Sequence, residues 1–142
     1  MEGGRSTLDL LSAAVALALS LFQAGCADDA HAPEESAATD YRLVVSEEEF
    51  VVRVQSAEQA QALDARLASG QEGVISGELA TGDGGYNSPW SWHLDPASVH
   101  VPDLAIEVCD GRPSMVEEDL EYWLGTVERF CPWGATVVRR LD

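Results

Sequence analysis

The chain has 142 residues, with 25 Asp and Glu against 8 basic residues, a formal net charge of −17 and 46% apolar content, which is enough for one small core. Phosphate backbones and anionic headgroups are bound through basic side chains, so nucleic acid is excluded as a partner. Every basic residue is an Arg, which also excludes a catalytic lysine, a Schiff base and a phosphate-loop lysine.

Residues 10–24, Leu-Leu-Ser-Ala-Ala-Val-Ala-Leu-Ala-Leu-Ser-Leu-Phe-Gln-Ala, form an apolar run too short to span a bilayer but of the length of a signal-peptide core. Ala24-Gly25 directly before Cys26 resembles the bacterial lipobox, in which the cysteine is lipidated and becomes the new N-terminus. Residues 1–25 are therefore expected to be a lipoprotein-type signal, with Cys26 as the membrane anchor and the remainder in the bacterial cell envelope or secreted. Loss of residues 1–25 removes Arg5, Glu2 and Asp9, so the mature chain keeps a charge of −16. Residues 26–40 are rich in Ala, Asp, Glu and Pro, with nothing large to bury. They are expected to form an acidic tether, and His31 within them a solvated linker residue.

From residue 41 onward a single domain is expected. Phe50–Gln55, rich in β-branched residues, predicts a strand, with a short extended piece at Leu43–Val45 before it. Ser56-Ala-Glu-Gln59 is a capping box; Ala60, Leu63 and Leu67 then share one helical face, and Gly70 ends the helix. Gly73–Ala80 predicts a second strand and Thr81–Gly85 a loop. Trp90–Leu94 is a third strand, stopped by Asp95-Pro96, and Ala105–Cys109 a fourth. Ser114-Met-Val-Glu117 reads as a second capping box, and Val116, Leu120, Trp123 and Val127 recur at helical spacing. Thr136–Val138 is a last short strand, with Arg139-Arg140 keeping its edge soluble. The order β-α-β-β-β-α-β predicts an α+β fold with a mostly antiparallel sheet of about five strands and two helices.

Cys109 and Cys131 are the two cysteines inside the domain, and in an oxidising compartment they are expected to form a disulfide. A thiol nucleophile paired with His93 or His100 would require a reduced cysteine, which export disfavours.

Tyr86-Asn87, Trp90-Ser-Trp-His-Leu-Asp-Pro96, Ala105-Ile-Glu-Val-Cys-Asp110, Pro113-Ser114, Val116-Glu117 and Cys131-Pro-Trp133 together resemble an uncharacterised domain family of secreted proteins, over roughly Phe50 to Leu141. Phe130 departs from that pattern, which has Trp before Cys-Pro-Trp. The resemblance implies a fold and a secreted habit, not an activity. It marks Trp90, His93, Asp95, Glu107 and Asp110 as positions matching the family pattern.

Strand parity sets Trp90, Trp92 and Leu94 on one face and Ser91 and His93 on the other, and Glu107 opposite to Ile106 and Val108. If the two strands pair, His93 and Glu107 meet as an acid/base pair, or as a metal site with Asp95 or Asp110. The structural alternative is that both fix the Asp95-Pro96 turn and its loop. Asp83 and Asn87 offer oxygens to Ca²⁺ but lack the ligand count of an EF-hand loop. Tyr86, Trp90 and Trp92 offer an aromatic platform, though aromatics in so small a domain usually build its core. His100 is expected at a rim. No cofactor is implied. The expected function is a non-enzymatic binding or interaction domain, with Tyr86, Trp90, His93, Asp95, Glu107 and Asp110 as ligand-binding candidates and an unknown protein or small molecule as partner. The alternative is a small hydrolase or metal-dependent enzyme using His93 and Glu107.

Overall fold

A computed structural model of the chain describes residues 37–141; the signal segment, Cys26 and residues 26–36 of the tether lie outside the described residues. The fold is α+β, with two antiparallel three-stranded sheets and the Cys109–Cys131 disulfide. No helix among the described residues is long and apolar enough to cross a membrane.

The first sheet opens with a hairpin of β1 (Thr39–Val45) and β2 (Glu48–Val54). Thr39 and Asp40 are thus strand residues, not tether. The connection is two residues, Ser46 and Glu47, at φ of 50° and 68°, the left-handed turn whose twist suits a two-residue hairpin. Tyr41, Leu43 and Val45 alternate into the core, as do Phe50, Val52 and Val54 opposite them. β6 (Thr136–Leu141) pairs with the other side of β1, giving the order β2-β1-β6. The register shifts between Arg42 and Leu43, whose partners are Arg139 and Val137, so Val138 is the extra residue of a bulge and is exposed. β6 extends three residues beyond its expected end, and its two arginines are ladder members.

α1 (Ala57–Ser69) has the expected termini: Ser56 Oγ accepts from the Gln59 amide, the Gln59 side chain accepts from the Ser56 amide, and Gly70 adopts φ 62°. Leu63 is buried, with Ala60 and Leu67 packed on the same core. Gln59 also reaches across the chain, donating to the carbonyls of Pro96 and Val99, and so ties the helix start to the strap that holds those two residues.

The second sheet has the order β4-β3-β5, from β3 (Gly77–Thr81), β4 (Trp92–Leu94) and β5 (Arg129–Phe130). β3 and β4 are shorter than expected, and Trp90 falls outside β4. Two residues of β5 suffice to place Phe130 in an aromatic centre, with Trp92 at 5.3 Å, Phe50 at 5.6 Å and Trp123 at 6.0 Å between ring centroids. The core thus lies between the sheets.

Two expected elements differ. Ala105–Cys109 is not a strand: Glu107–Cys109 is a 3-10 turn, with Asp110 N–H donating to Glu107 O. The disulfide and the Cys131 amide, which donates to Cys109 O at 2.7 Å, hold Cys109 inward, and Ile106 and Val108 are left exposed without a ladder partner. The second helix is broken. α2 (Pro113–Glu118) begins two residues earlier than expected, with Pro113 in its first turn, and Ser114 is not its cap. Instead the carboxylate of Glu48 accepts from both the Ser114 amide and hydroxyl, at 2.7 Å each. The chain leaves helical geometry at Asp119, resumes in α3 (Leu120–Tyr122) and closes in a π turn, Trp123–Val127. This irregular path still buries Val116 and Trp123 and packs Leu120 and Val127 on the core, so the sequence stripe is kept and the regular helix is not.

Candidate functional site

The loop between β3 and β4 is built on three glycines with positive φ, Gly82, Gly84 and Gly85, which let the chain fold back on itself. The Asp83 carboxylate accepts from the Gly85 amide at 2.9 Å, and Asp83 O accepts from the amides of Tyr86 and Asn87. The loop therefore presents Tyr86 and Asn87 at a fixed position against β4 and β2.

Asn87 is fully buried. Its side-chain oxygen accepts from the Val51 amide at 2.7 Å and its amide donates to Trp92 O at 2.9 Å. Beside it, the Trp90 indole N–H donates to Glu49 O at 2.8 Å. These contacts satisfy Val51 N and Glu49 O on the outer edge of β2 and leave the Asn87 side-chain oxygen spent on a backbone amide.

His93 sits on β4 opposite Ala80, half-buried, on the face away from Trp92 as parity requires. Its Nδ1 lies 2.7 Å from Gly82 O. A carbonyl only accepts, so the ring donates from Nδ1. Tyr86 meets the His93 ring edge-on at 5.6 Å, and its hydroxyl donates to Leu94 O at 2.6 Å. Arg53 lies over the Tyr86 ring at 4.5 Å and forks onto Asp40 with bonds of 2.7 and 2.8 Å. Burial pushes the Tyr86 phenol well above its ordinary value, and the bond to Asp40 raises the Arg53 guanidinium further. The Asp40–Arg53–Tyr86–His93 chain thus joins both sheets. Its Arg53 and Asp40 members carried no sequence signal, because nothing local tells a cross-strand pair that a loop tyrosine will land on it.

The six candidate residues do not form one site. Tyr86 and His93 stand together. Asp95 Oδ1 caps a turn by accepting from Ala97 N at 3.0 Å, and Trp90 braces β2. Glu107 is exposed on the 3-10 turn, and the strand pairing expected to bring it to His93 is not formed, since among the described residues β4 pairs with β3 alone. Asp110 lies at the disulfide, where its Oδ1 accepts from the amides of Gly111 and Trp133, both at 2.9 Å. Among the described residues no group of three His, Cys, Asp or Glu side chains is placed to hold a metal ion. Trp92 is core, not platform, and His100 is exposed at a rim, lining a groove with the α1 start and residues 97–101.

A family profile described as the BP-74 N-terminal domain matches residues 35–142. The chain belongs to the BP-74 N-terminal domain family. The match takes in both sheets, the disulfide and every candidate residue of the described domain, and it begins close to the start of β1. No curated protein and no solved structure matches the chain. Membership of the BP-74 N-terminal domain family therefore sets the extent of the domain and leaves its ligand to be argued from the residues.

Proposed function

We propose that the chain is an extracytoplasmic, membrane-tethered lipoprotein whose acidic domain, the part shared with its family, is a non-enzymatic interaction module. One observation carries this reading: around the Cys109–Cys131 disulfide the domain leaves Ile106 68%, Val108 54%, Met115 42% and Trp133 40% exposed. A domain of this size needs such side chains for its core, and apolar side chains grouped on a surface are the mark of a binding face. A disulfide in so small a domain fits an oxidising compartment, and Cys26 after its apolar leader supplies the tether. The enzyme alternative has less behind it, because His93 is bonded to Gly82 O while Glu107 stands on a separate turn.

Membrane fractionation of cells making the full chain tests the tether. Wild type should partition with membranes and Cys26→Ala should be released; a variant that stays membrane-bound would count against lipidation at Cys26.

A further inference from the structure

The face around the disulfide has a defined chemistry. Two segments, 109–112 and 131–134, are clamped there three times: by the disulfide, by the Cys131 amide on Cys109 O at 2.7 Å, and by the Trp133 amide on Asp110 Oδ1 at 2.9 Å. Between them and the β1–β2 turn runs a groove of ≈ 510 Å³, lined in part by Glu72, Asp110, Gly111, Met115 and Gly134. Ile106 belongs to the same place, since its carbonyl is 3.3 Å from Cys109 Sγ and 3.5 Å from Cys131 Sγ. Trp and Met are the side chains that anchor protein contacts, the first as a rigid aromatic and the second as an adaptable thioether.

The charge on this face is mostly negative. Glu72 and Asp110 line the groove, and exposed Glu107 stands between Ile106 and Val108. Arg112, the cation that lines the groove, faces Glu48 at 3.6 Å, and Arg66 beside the groove donates to the backbone carbonyl of Glu72 at 3.3 Å. An apolar surface with an excess of carboxylates over arginines repels anionic lipid and acidic partners, and complements a segment that alternates basic and apolar side chains.

We infer that this disulfide-clamped face docks a cationic, apolar segment of a partner protein, with Trp133, Met115 and Ile106 taking its apolar side chains and Glu72, Asp110 and Glu107 its positive charges. This deepens the interaction-module reading and rests on it. Because the clamps are covalent and backbone-made, the face is formed before the partner arrives, which lowers the ordering cost of binding.

The test titrates the full chain with a short synthetic peptide alternating lysine and leucine, and with its glutamate–leucine counterpart, followed by calorimetry. The lysine peptide should bind, the glutamate peptide should not, and Trp133→Ala with Ile106→Ser should weaken binding about tenfold or more. Those changes leave the net charge intact, so an unchanged affinity would show mere charge attraction to an acidic protein and overturn the assignment. Val138→Ser removes an apolar side chain of like exposure from the bulge on β6 and should leave affinity as in wild type; an equal loss there also overturns it. Glu72→Gln with Glu107→Gln should weaken binding and flatten its dependence on salt. Cosedimentation with zwitterionic vesicles that the Trp133 and Ile106 changes abolish would overturn the peptide in favour of a lipid surface. Peptide recovered shortened would overturn the non-enzymatic reading and the docking assignment with it, whereas intact peptide bound without regard to this face overturns the docking alone.

Discussion

The side-chain oxygen of Asn87 lies 2.7 Å from the backbone nitrogen of Val51, so a loop residue occupies the place where a fourth strand of the first sheet would pair. The Asn87 amide group is spent on Trp92 O, in the second sheet, at 2.9 Å. One side chain thus joins the two sheets through both of its polar atoms, in a site without solvent access.

Asn87→Ala should therefore cost about 2–4 kcal/mol, because it orphans a buried N–H and a buried C=O together. Asn87→Asp keeps an acceptor for Val51 but sets a carboxylate oxygen against the Trp92 carbonyl, and should be no less damaging. Urea unfolding of each variant against wild type gives the differences; a loss under about 0.5 kcal/mol for Asn87→Ala would show that the loop does not brace the sheets.

Removing the disulfide by Cys109→Ser with Cys131→Ser should lower stability by about 3 kcal/mol, the chain-entropy value for a sequence separation of 22. Non-reducing mass spectrometry of wild type should find the two cysteines linked, and the thermal midpoint of wild type should fall on adding reductant while that of the double variant stays put.

The parts of the fold that were legible in the sequence are those whose signals are local. The α1 capping box is four consecutive residues, and its bonds form as written. Parity placed Trp92 and Leu94 inward and His93 on the other face, and the disulfide followed from compartment and cysteine number. Failures came where a distant group altered a local preference. Ser114 had the right neighbours to be a cap, yet Glu48, 66 positions away, takes its amide and hydroxyl. Ile106 and Val108 had strand-like alternation but no partner strand, since β3 already has β4 and β5 on its two sides. β5, only two residues long, carries no periodicity at all. The candidate site was legible only in part for the same reason: Tyr86 and His93 meet within one hairpin, whereas Arg53, Asp40 and the Asp110–Trp133 contact depend on tertiary placement.

Tyr41 gives the domain a pH dependence at the alkaline end. It is fully buried, its hydroxyl bonded to Asp64 Oδ1 at 2.8 Å and close to Ala60 O, and burial with the Asp64 bond pushes the phenol up from 10.0 to about 12. The folded state therefore holds its proton more tightly than the unfolded state does. This contribution is fully present below pH 10 and is lost as pH rises through about 12. Tyr41→Phe should be less stable than wild type at neutral pH and should lose less stability across that window, as denaturant unfolding at a series of pH values would show.

Gly84 allows the Tyr86–His93 contact to be weighed against backbone conformation. Gly84 and Gly85 have φ of 61° and 79°, so an L side chain is strained at both positions, by about 1 kcal/mol. A Cβ at Gly85 meets nothing within 4 Å, whereas one at Gly84 comes within 2.7 Å of Tyr86 Cε1 and 2.9 Å of the His93 ring. Gly85→Ala then reports the conformational cost alone, and Gly84→Ala the same cost plus displacement of two rings that are themselves fixed, Tyr86 by Leu94 O and His93 by Gly82 O. Gly84→Ala should be the more damaging by about 1–2 kcal/mol in urea unfolding. Equal losses for the two variants would mean that Tyr86 and His93 move aside freely and that the loop is no rigid support. A larger loss at Gly84, together with a shifted His93 imidazole signal in the NMR spectrum, would show that the glycine is there to let tyrosine and histidine pack edge to face.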